Sequence, residues 1–574
     1  MSTIDILKGE AKKNISEIQA LAVTLINSPA NNELKIEDLY ELASEQPTVL
    51  VSDEKAGGEK GDKKILISLT GEDVSSANWA VKVVPSVSEA CCFKDLQEER
   101  DYLVDVVRES AYELVQREMV THSAYLSDNA EFNALLKLTV PSQYAKLAYD
   151  FGVHYYPCDD KNDKSYAKSK KIDMPAIRIV CYPDWVNEEW LYWKSGGDGN
   201  NGTEPPRIMM IYDIDTNTAF LLGAKSFTEI KKAIRVLAWN SAITKCDALP
   251  VNGVAKTLRV LKNGKPLDTT FVTVGMECGE KAYLGFNTHT DKLKGKSEGV
   301  FLSGNSGIIL LSHVQGRKKS VVSFGETFFG SVESNIIRNG SKFNIITGEN
   351  VPVADDGSGT KKVIACHMLA PAGKLQTVFD QEEKDLSLPE YIVMLVKDET
   401  LPPVTMVKDA DLITSAWFTF ASECECCGET KIVPGSNPSA VWDIQDELKV
   451  FDKVVKKAKP KLLIFNTGCF LARNGKNIEV NSEILLSAYH KVAKGEMKWK
   501  EWKLVPGFFV PDKNIFKAVK KDFDTVFDVS KVSENEVYID VLRDNFERKI
   551  DYLRDIDFPS KYIAPYYRIL SKLM

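Results

Sequence analysis

The sequence predicts a mixed α/β protein built from two large domains. Segments with helical periodicity and segments typical of strands follow one another without strict βαβ alternation. The longest helical pattern spans Leu96 to Met119, and buried strands are predicted at Ala176 to Tyr182 and at Tyr391 to Val396. Because the chain has 574 residues, it is too long for one ordinary hydrophobic core.

Composition and charge argue against several classes of protein. Hydrophobic residues make up 44% of the chain and charged residues 27%, which is ordinary for a soluble globular protein. The formal net charge of -8 favours neither nucleic-acid binding nor an anionic membrane surface. The N-terminus lacks a signal-peptide pattern, and no window is apolar for the roughly 18 residues that a membrane helix needs. The 11 cysteines at irregular spacing predict reduced thiols, so we expect a cytoplasmic location.

In the first half of the chain, a capping box gives the sharpest local signal. Ser226-Phe227-Thr228-Glu229 should open a helix that runs to about Ile243. His154 is expected to be a strand residue rather than a metal ligand. The other elements predicted here are a helical extension over 1–45, a loop at Asp53–Lys64, a strand at Ile65–Leu69, a helix at Glu131–Tyr149, strands at Phe151–Tyr156 and Ile208–Tyr212, and loops at Asp159–Lys171 and Ser195–Pro206.

The second half is predicted to be β-rich to about Met368 and to carry helices after that point. A helix at Val441–Lys457 leads to a strand at Leu462–Phe465, and Asn481 caps a helix at Ser482–Ala493. C-terminal helices present an apolar stripe made of Phe546, Ile550, Leu553 and Ile556.

A β-branched run that begins at Thr269 leads into a loop resembling a phosphate-binding loop. The pattern asks for a glycine, four residues, and then Gly-Lys-Ser/Thr. Gly275 and Lys281 have the correct separation, and Gly279 lies one position too early. Glu280 occupies the place of the second glycine, and Ala282 replaces the hydroxyl that would bind Mg²⁺.

Several segments share an order and spacing with one enzyme family. They are Glu229-Ile230-Lys231-Lys232 at a helix start, the corner from Gly275 to Lys281, Glu298-Gly299-Val300-Phe301, the strand Pro389–Asp398 followed by Leu401-Pro402-Pro403-Val404, and Leu463–Gly468 with Lys476 and Ile478 beyond it. Over residues 95–555 the chain resembles the ATP-type phosphoenolpyruvate carboxykinases. After the helical extension over 1–45, the resemblance implies an N-terminal domain over 46–245 and a P-loop-type, nucleotide-binding C-terminal domain over 246–574, with the active site between the domains.

The resemblance also implies a reaction and a set of site residues. The family interconverts oxaloacetate with phosphoenolpyruvate and CO₂, using ATP with Mg²⁺ and Mn²⁺. Carried over by position, Lys231 and Lys232 would be catalytic, and Lys232 and Asp291 would contact metal. The phosphate-binding residues would be Gly275, Gly279, Lys281 and Lys362. The alternative for Lys231, Lys232 and Lys281 is a structural role as solvated lysines.

Departures from the family pattern fall on its metal and phosphate ligands. Leu258 aligns with the family's metal-binding histidine, and the interval from Lys281 to Glu298, where Asp291 is the only internal acid, is shortened. The Asp53–Lys64 loop lies near the place of the substrate loop but contains no arginine. Glu280 would face the phosphates, and two like charges about 4 Å apart repel by roughly 4 kcal/mol at an effective dielectric near 20.

The remaining soft-ligand cluster does not have the spacing of a zinc site. Cys424, Cys426 and Cys427 form a Cys-x-Cys-Cys group without a second pair nearby. Structural zinc usually takes four ligands from paired Cys-x₂₋₄-Cys units. We therefore interpret these cysteines as surface or core thiols.

Three hypotheses of function follow. The first is a divergent carboxykinase that binds oxaloacetate or phosphoenolpyruvate and a nucleotide. The second is a catalytically inactive member that acts as a binding or assembly subunit with a protein partner, and the residue departures favour it. The third is an enzyme of the family that uses another phosphoryl donor, such as pyrophosphate.

Overall fold

The chain is a mixed α/β protein in the computed structural model. The structure describes residues 16–55, 63–69, 79–84, 100–169, 176–188, 191, 206–275, 281, 283–285, 287, 289, 298–303, 307–312, 320–331, 347–349, 353–355, 361–363, 367–371, 386–423, 430–437, 440–471, 477–480, 482–512 and 536–574.

The helices are distributed along the whole described chain. They are α1 (Glu17–Ile26), α2 (Ile36–Ser44), α3 (Arg100–Leu114), α4 (Ala145–His154), α5 (Asp160–Lys168), α6 (Phe227–Cys246), α7 (Ala410–Phe418), α8 (Ile444–Ala458), α9 (Ser482–Ala493), α10 (Glu536–Asp555) and α11 (Ser560–Leu573).

The strands are short, and many lie between α6 and α7. They are β1 (Asn31–Glu33), β2 (Val49–Lys55), β3 (Lys64–Ser68), β4 (Trp79–Val84), β5 (Met119–Tyr125), β6 (Leu135–Pro141), β7 (Tyr156–Pro157), β8 (Ile177–Tyr182), β9 (Ile208–Asp213), β10 (Thr218–Leu222), β11 (Ala248–Val251), β12 (Gly253–Lys262), β13 (Lys265–Val274), β14 (Gly299–Ser303), β15 (Ile308–Leu311), β16 (Val321–Ser323), β17 (Thr327–Ser331), β18 (Thr347–Glu349), β19 (Val353–Asp355), β20 (Lys361–Val363), β21 (His367–Pro371), β22 (Tyr391–Val396), β23 (Val404–Val407), β24 (Ala421–Glu423), β25 (Thr430–Ile432), β26 (Lys461–Asn466), β27 (Cys469–Leu471), β28 (Asn477–Glu479), β29 (Trp499–Glu501) and β30 (Phe508–Pro511).

Two large sheets carry most of the strands. The first has the order β1-β5-β6-β8-β10-β9-β4, and β7 pairs with β5. The second has the order β14-β12-β13-β22-β26-β23-β30-β29, in which β13, β22 and β26 are mutually parallel. These three strands therefore end at the same edge of the sheet, which is where ligands bind in many open α/β sheets.

A smaller five-stranded sheet combines early and late parts of the chain, in the order β17-β21-β18-β3-β2. In it, β18 lies parallel to β3, with Thr347 opposite Leu66. The N-terminal hairpin of β2 and β3 thus pairs with strands from the second half of the chain.

Helix α6 connects the first sheet to the second half of the chain. It begins at the predicted capping box, with Ser226 as the N-cap and Glu229 bonding back to it. The helix contacts β8, β9 and β10 of the first sheet, and it also contacts β11 and α8. Its Trp239 is fully buried and lies 6.5 Å from Trp442, between the ring centres. One continuous apolar cluster contains both tryptophans.

Most strand predictions and several helix predictions are confirmed. The strands predicted at Ala176–Tyr182, Ile208–Tyr212, Tyr391–Val396 and Leu462–Phe465 correspond to β8, β9, β22 and β26. The Val441–Lys457 and Ser482–Ala493 helices correspond to α8 and α9. Asn481 and the cysteines Cys424, Cys426 and Cys427 lie outside the described residues.

Three predictions between residues 131 and 171 are wrong. The predicted helix at Glu131–Tyr149 contains strand β6, and the predicted strand at Phe151–Tyr156 largely belongs to helix α4, of which His154 is the last residue. The predicted loop at Asp159–Lys171 contains helix α5, whose N-cap Asp159 accepts a hydrogen bond from Asn162 N. All ten residues of α4 are buried, so the helix has no polar face to reveal its period.

The predicted polar helix over 1–45 is also more varied than expected. In its described part, α1 and α2 flank the short strand β1, which extends the first large sheet beside β5. Among the described residues, no helix has both the length and the apolar character that crossing a membrane requires.

Candidate functional site

The predicted phosphate-loop corner lies at the carboxyl end of β13. Gly275 follows the last residue of that strand and is buried. A Cβ atom at Gly275 would lie 3.0 Å from Leu395 Cβ on β22, so a larger residue would press against the neighbouring strand. Gly279 and Glu280 lie outside the described residues, and the backbone is helical at Lys281.

The side chain of Lys281 is directed into the protein. The residue is 4% exposed, and its Nζ donates a hydrogen bond of 3.1 Å to Asn252 Oδ1. Asn252 follows β11 and is itself buried. This contact ties the end of the corner to the β11–β12 connection, and Asn252 is a site residue that the sequence pattern did not identify.

A second buried lysine lies beside the corner, on β12. Lys256 is fully buried, and its Nζ donates to the Leu284 carbonyl oxygen at 2.6 Å and lies 3.1 Å from His289 Nε2. The centre of the Tyr489 ring is 3.8 Å from Nζ. Burial strongly lowers the pKa of the Lys256 amine. These contacts fix the segment after the corner to β12 and α9.

Lys256 was also missed by the sequence analysis. It stands within an apolar strand, four residues after the site neighbour Asn252. A lysine in the middle of an apolar run is the available signal, since lysine is rarely fully buried. The sequence does not indicate which groups contact it, because Leu284 and His289 reach it through the chain after the corner.

Leu258, the position aligned with the family's metal-binding histidine, is two residues further along β12. It is fully buried in an apolar cluster with Phe271 and Leu463. Its packing among these apolar side chains is that of a core residue.

Lys231 and Lys232 lie in the first turns of α6 and are half-buried. The pKa of His154, at the end of α4, is lowered by burial and further by the charge of Lys231. Burial raises the pKa of the Glu229 carboxyl to about 7, against backbone hydrogen bonds and the charge of Lys232. Each lysine therefore lies close enough to a buried titratable group to influence its charge.

The start of α6 also receives a buried carboxyl group from β18. Glu349 Oε1 accepts from Phe227 N at 2.6 Å, and Oε2 accepts from Ser226 Oγ at 2.8 Å. Burial and, next, the charge of the neighbouring Asp150 raise the pKa of Glu349 to about 8. A carboxyl group at this place satisfies helix N–H and hydroxyl donors that would otherwise be unpaired.

Asp150 connects this carboxyl to a lysine on the same helix. Lys146 Nζ lies 2.7 and 2.6 Å from the two Asp150 oxygens, and Thr347 Oγ1 donates to Asp150 Oδ1 at 2.9 Å. Burial raises the pKa of Asp150, and Lys146 opposes that effect. Since Glu349 has no such close ammonium partner in the described contacts, we assign the bound proton to Glu349 and the negative charge to Asp150.

The structure does not describe the side chains of the other predicted site residues. Asp291 lies outside the described residues, as does Ala282. Lys362 lies in β20, opposite Ala354 of β19, and its side chain is outside the described part. The roles predicted for Gly279, Asp291 and Lys362 stay predictions.

The lysine of a phosphate-binding loop reaches the phosphates of a nucleotide. In the described part of the corner, Lys281 is buried and its Nζ donates to Asn252 Oδ1. Within the described ranges, no group of three or more histidine, cysteine, aspartate and glutamate side chains is arranged to hold a metal ion.

Comparison with known proteins gives no family assignment. No family model and no curated protein matches this chain.

Proposed function

We propose that this chain is a catalytically inactive carboxykinase-fold protein that acts as a binding or assembly subunit. The observation that carries the proposal is the buried Lys281 amino group with its hydrogen bond to Asn252. A lysine in that position has a structural role, because its hydrogen bond joins the corner to the β11–β12 connection. The carboxykinase assignment itself rests on the order of the sequence segments.

Physical chemistry supports the same proposal. Transfer of a γ-phosphoryl group depends on positioning and on neutralisation of the phosphate charges. Exposing Lys281 to a phosphate would break its contact with Asn252, and Glu280 would bring a negative charge to the loop. Ala282 offers no oxygen for Mg²⁺.

Calorimetry with the full chain tests the proposal. ATP, GTP and pyrophosphate are titrated separately with Mg²⁺ and with Mn²⁺, and CO₂ release from oxaloacetate is measured with each donor. We expect no saturable heat and no CO₂ release above the rate without protein. Saturable binding of a donor together with donor-dependent CO₂ release would overturn the proposal.

The second candidate function is interconversion of oxaloacetate with phosphoenolpyruvate and CO₂. It is favoured by the half-buried pair Lys231 and Lys232 beside the buried groups His154 and Glu229, because a cationic pair suits a dicarboxylate substrate. If this candidate is correct, Lys232→Ala abolishes CO₂ release, while the exposed control Lys225→Ala retains it. Activity with pyrophosphate but not ATP would instead select the enzyme with a changed phosphoryl donor.

A cytoplasmic location is part of the proposal. Cys158, Cys181, Cys246 and Cys469 are free thiols in the described part of the chain, as is usual in a reducing compartment. We propose a protein partner rather than nucleic acid, in keeping with the net charge of -8.

A further inference from the structure

A cavity lies beneath the second large sheet, on the face opposite the phosphate-loop corner. Met394, Val396 and Ile464 line it, whereas Leu395, which contacts the corner, points to the other face. Helices α7, α10 and α11 cover this side of the sheet. The cavity therefore occupies a place near the carboxyl ends of β22 and β26 that the proposed function does not use.

Among its described lining residues, the cavity has an apolar floor and one cationic group. Phe508, Phe546 and Leu542 contribute to the floor, and Lys549 on α10 contributes its amino group. The Lys549 side chain is 13% exposed, and its Nζ lies 5.4 Å from the centre of the Phe546 ring. A cation above an apolar floor is an arrangement that binds an amphipathic anion.

The nearby carboxylate does not satisfy the Lys549 amino group. Asp398 accepts from Thr400 N at 2.9 Å, from Thr400 Oγ1 at 2.5 Å and from Asn545 Nδ2 at 2.8 Å. Its distance to Lys549 Nζ is 3.9 Å, which is longer than a hydrogen bond. Within the described part of the chain, Lys549 thus keeps its hydrogen-bond donors available for a ligand at the cavity.

Other polar groups of the cavity already bond to one another. The hydroxyls of Thr419 and Tyr566 are 2.7 Å apart, and Thr419 donates to the Ser415 carbonyl oxygen. Asn545 directs its amide N–H groups to Asp398 and Thr400. Lys549 is therefore the polar anchor that the cavity offers to a ligand.

We propose that this cavity binds a small monocarboxylate of two or three carbons, with its carboxylate on Lys549 and its alkyl end on the apolar floor. The cavity volume is about 30 Å³, which corresponds to two or three water molecules at about 10–15 Å³ each and thus to an acetate-sized ligand. A dianion such as phosphate is disfavoured, because Lys549 is the one cation among the described lining residues and the Asp398 carboxylate lies 3.9 Å from its Nζ.

Thermal unfolding and isothermal calorimetry of the full chain test the site. Acetate, propionate and inorganic phosphate are compared at constant ionic strength, with chloride as the reference anion. We expect saturable binding and stabilisation by acetate or propionate, and none by phosphate. If neither acetate nor propionate shows saturable binding at ligand concentrations up to tens of millimolar, the proposal is overturned.

Variants separate this site from unspecific effects of salt. Lys549→Met keeps the alkyl stem but removes the charge, and we expect at least a tenfold loss of affinity. Lys572→Met removes a charge from the last turn of α11 and should leave binding unchanged. Ala416→Val reduces the cavity without touching Lys549 and should also weaken binding.

Circular dichroism verifies that each variant is folded. Equal binding by wild type and Lys549→Met would contradict the role of Lys549, and equal binding by Ala416→Val would contradict the location in the cavity.

Discussion

Glu447 on helix α8 is a buried acidic side chain with two defined hydrogen-bond partners. It is 3% exposed and accepts hydrogen bonds from Trp417 Nε1 at 2.9 Å and from Trp442 Nε1 at 2.8 Å. Burial raises the pKa of its carboxyl group. The two bonds connect helix α8 with the residues before it and with α7.

Replacement of Glu447 should lower the free energy of unfolding, and the loss should increase with the number of hydrogen bonds removed. Glu447→Leu leaves both indole N–H groups of Trp417 and Trp442 without an acceptor, and we expect a loss of about 2–5 kcal/mol. Glu447→Gln keeps one acceptor oxygen and should lose less than half of that. Urea unfolding followed by tryptophan fluorescence measures both. Equal losses for the two variants would contradict the explanation.

Lys281 gives a second prediction at the scale of a residue. Lys281→Met removes the donor to the buried Asn252 oxygen, and we expect destabilisation of about 1–2 kcal/mol. The exposed control Lys245→Met should change stability by less than about 0.5 kcal/mol. Thermal unfolding compares the two variants without added nucleotide. A Lys281→Met protein as stable as wild type would show that the contact has no structural role.

The sequence predicted where the corner lies but not what it contains. Gly275 and Lys281 were found because their spacing follows a local pattern. The partner of Lys281 is Asn252, 29 residues away, and such a pairing depends on how β12 and β13 fold back on each other. The burial of Lys256 is likewise a tertiary property, since the Leu284 carbonyl and His289 come from a different segment.

Elements with strong local signals were predicted well. Helix α6 begins at its capping box because Ser226 and Glu229 satisfy each other's neighbouring N–H groups within four residues. The local pattern predicts a helix over Glu131–Tyr149, whereas Leu136, Leu138 and Val140 of strand β6 alternate as in a strand and are fully buried. Its place beside β5 and β8 in a sheet decides its conformation, and that context is absent from a local pattern.

The contact between β18, α4 and α6 should make stability depend on pH. Burial and Asp150 raise the pKa of Glu349 from its ordinary value near 4.5 to about 8. The stabilising contribution of Glu349 to the free energy of unfolding is therefore fully present below pH 4.5 and is lost as the pH rises through 8. Wild type should lose stability between pH 6 and 9.

Glu349→Gln should flatten this dependence. The amide oxygen still accepts from Phe227 N, and its NH₂ group replaces the proton shared with Asp150. Chemical unfolding at pH 6 and pH 9 measures the slope, and we expect the variant to be more stable than wild type at pH 9. Burial also raises the pKa of Asp150 and raises that of Glu229 to about 7, so these two groups leave a residual slope. If the free energy of unfolding depends on pH in the variant as it does in wild type, Glu349 is not the cause of that dependence.

At the scale of the whole molecule, one apolar cluster includes residues from both halves of the chain, from Leu39 to Leu573. Trp239 lies within it, and its ring contacts Trp442 of the second half. Because large side chains leave cavities when truncated, Trp239→Ala should cost about 3–5 kcal/mol. We expect circular dichroism and fluorescence to report the same shifted transition.

A surface control gives the comparison for Trp239. Val537 on α10 is 64% exposed, and Val537→Ala should change stability by less than about 0.5 kcal/mol. Two separate transitions in the Trp239→Ala protein, one of them unshifted, would show that the halves unfold independently.

The pairing of β18 with β3 has a consequence for the synthesis of the protein on the ribosome. Thr347 Oγ1 lies 2.8 Å from the Leu66 carbonyl oxygen, and the two residues are 281 positions apart in the sequence. At about 5–20 residues per second, that interval takes about 15–60 s to translate. During this time the β2–β3 hairpin has emerged but lacks its partner strand, and such an edge invites pairing with other chains. A chaperone would therefore protect this protein most during the part of its synthesis in which the N-terminal half has emerged and β18 has not yet been translated.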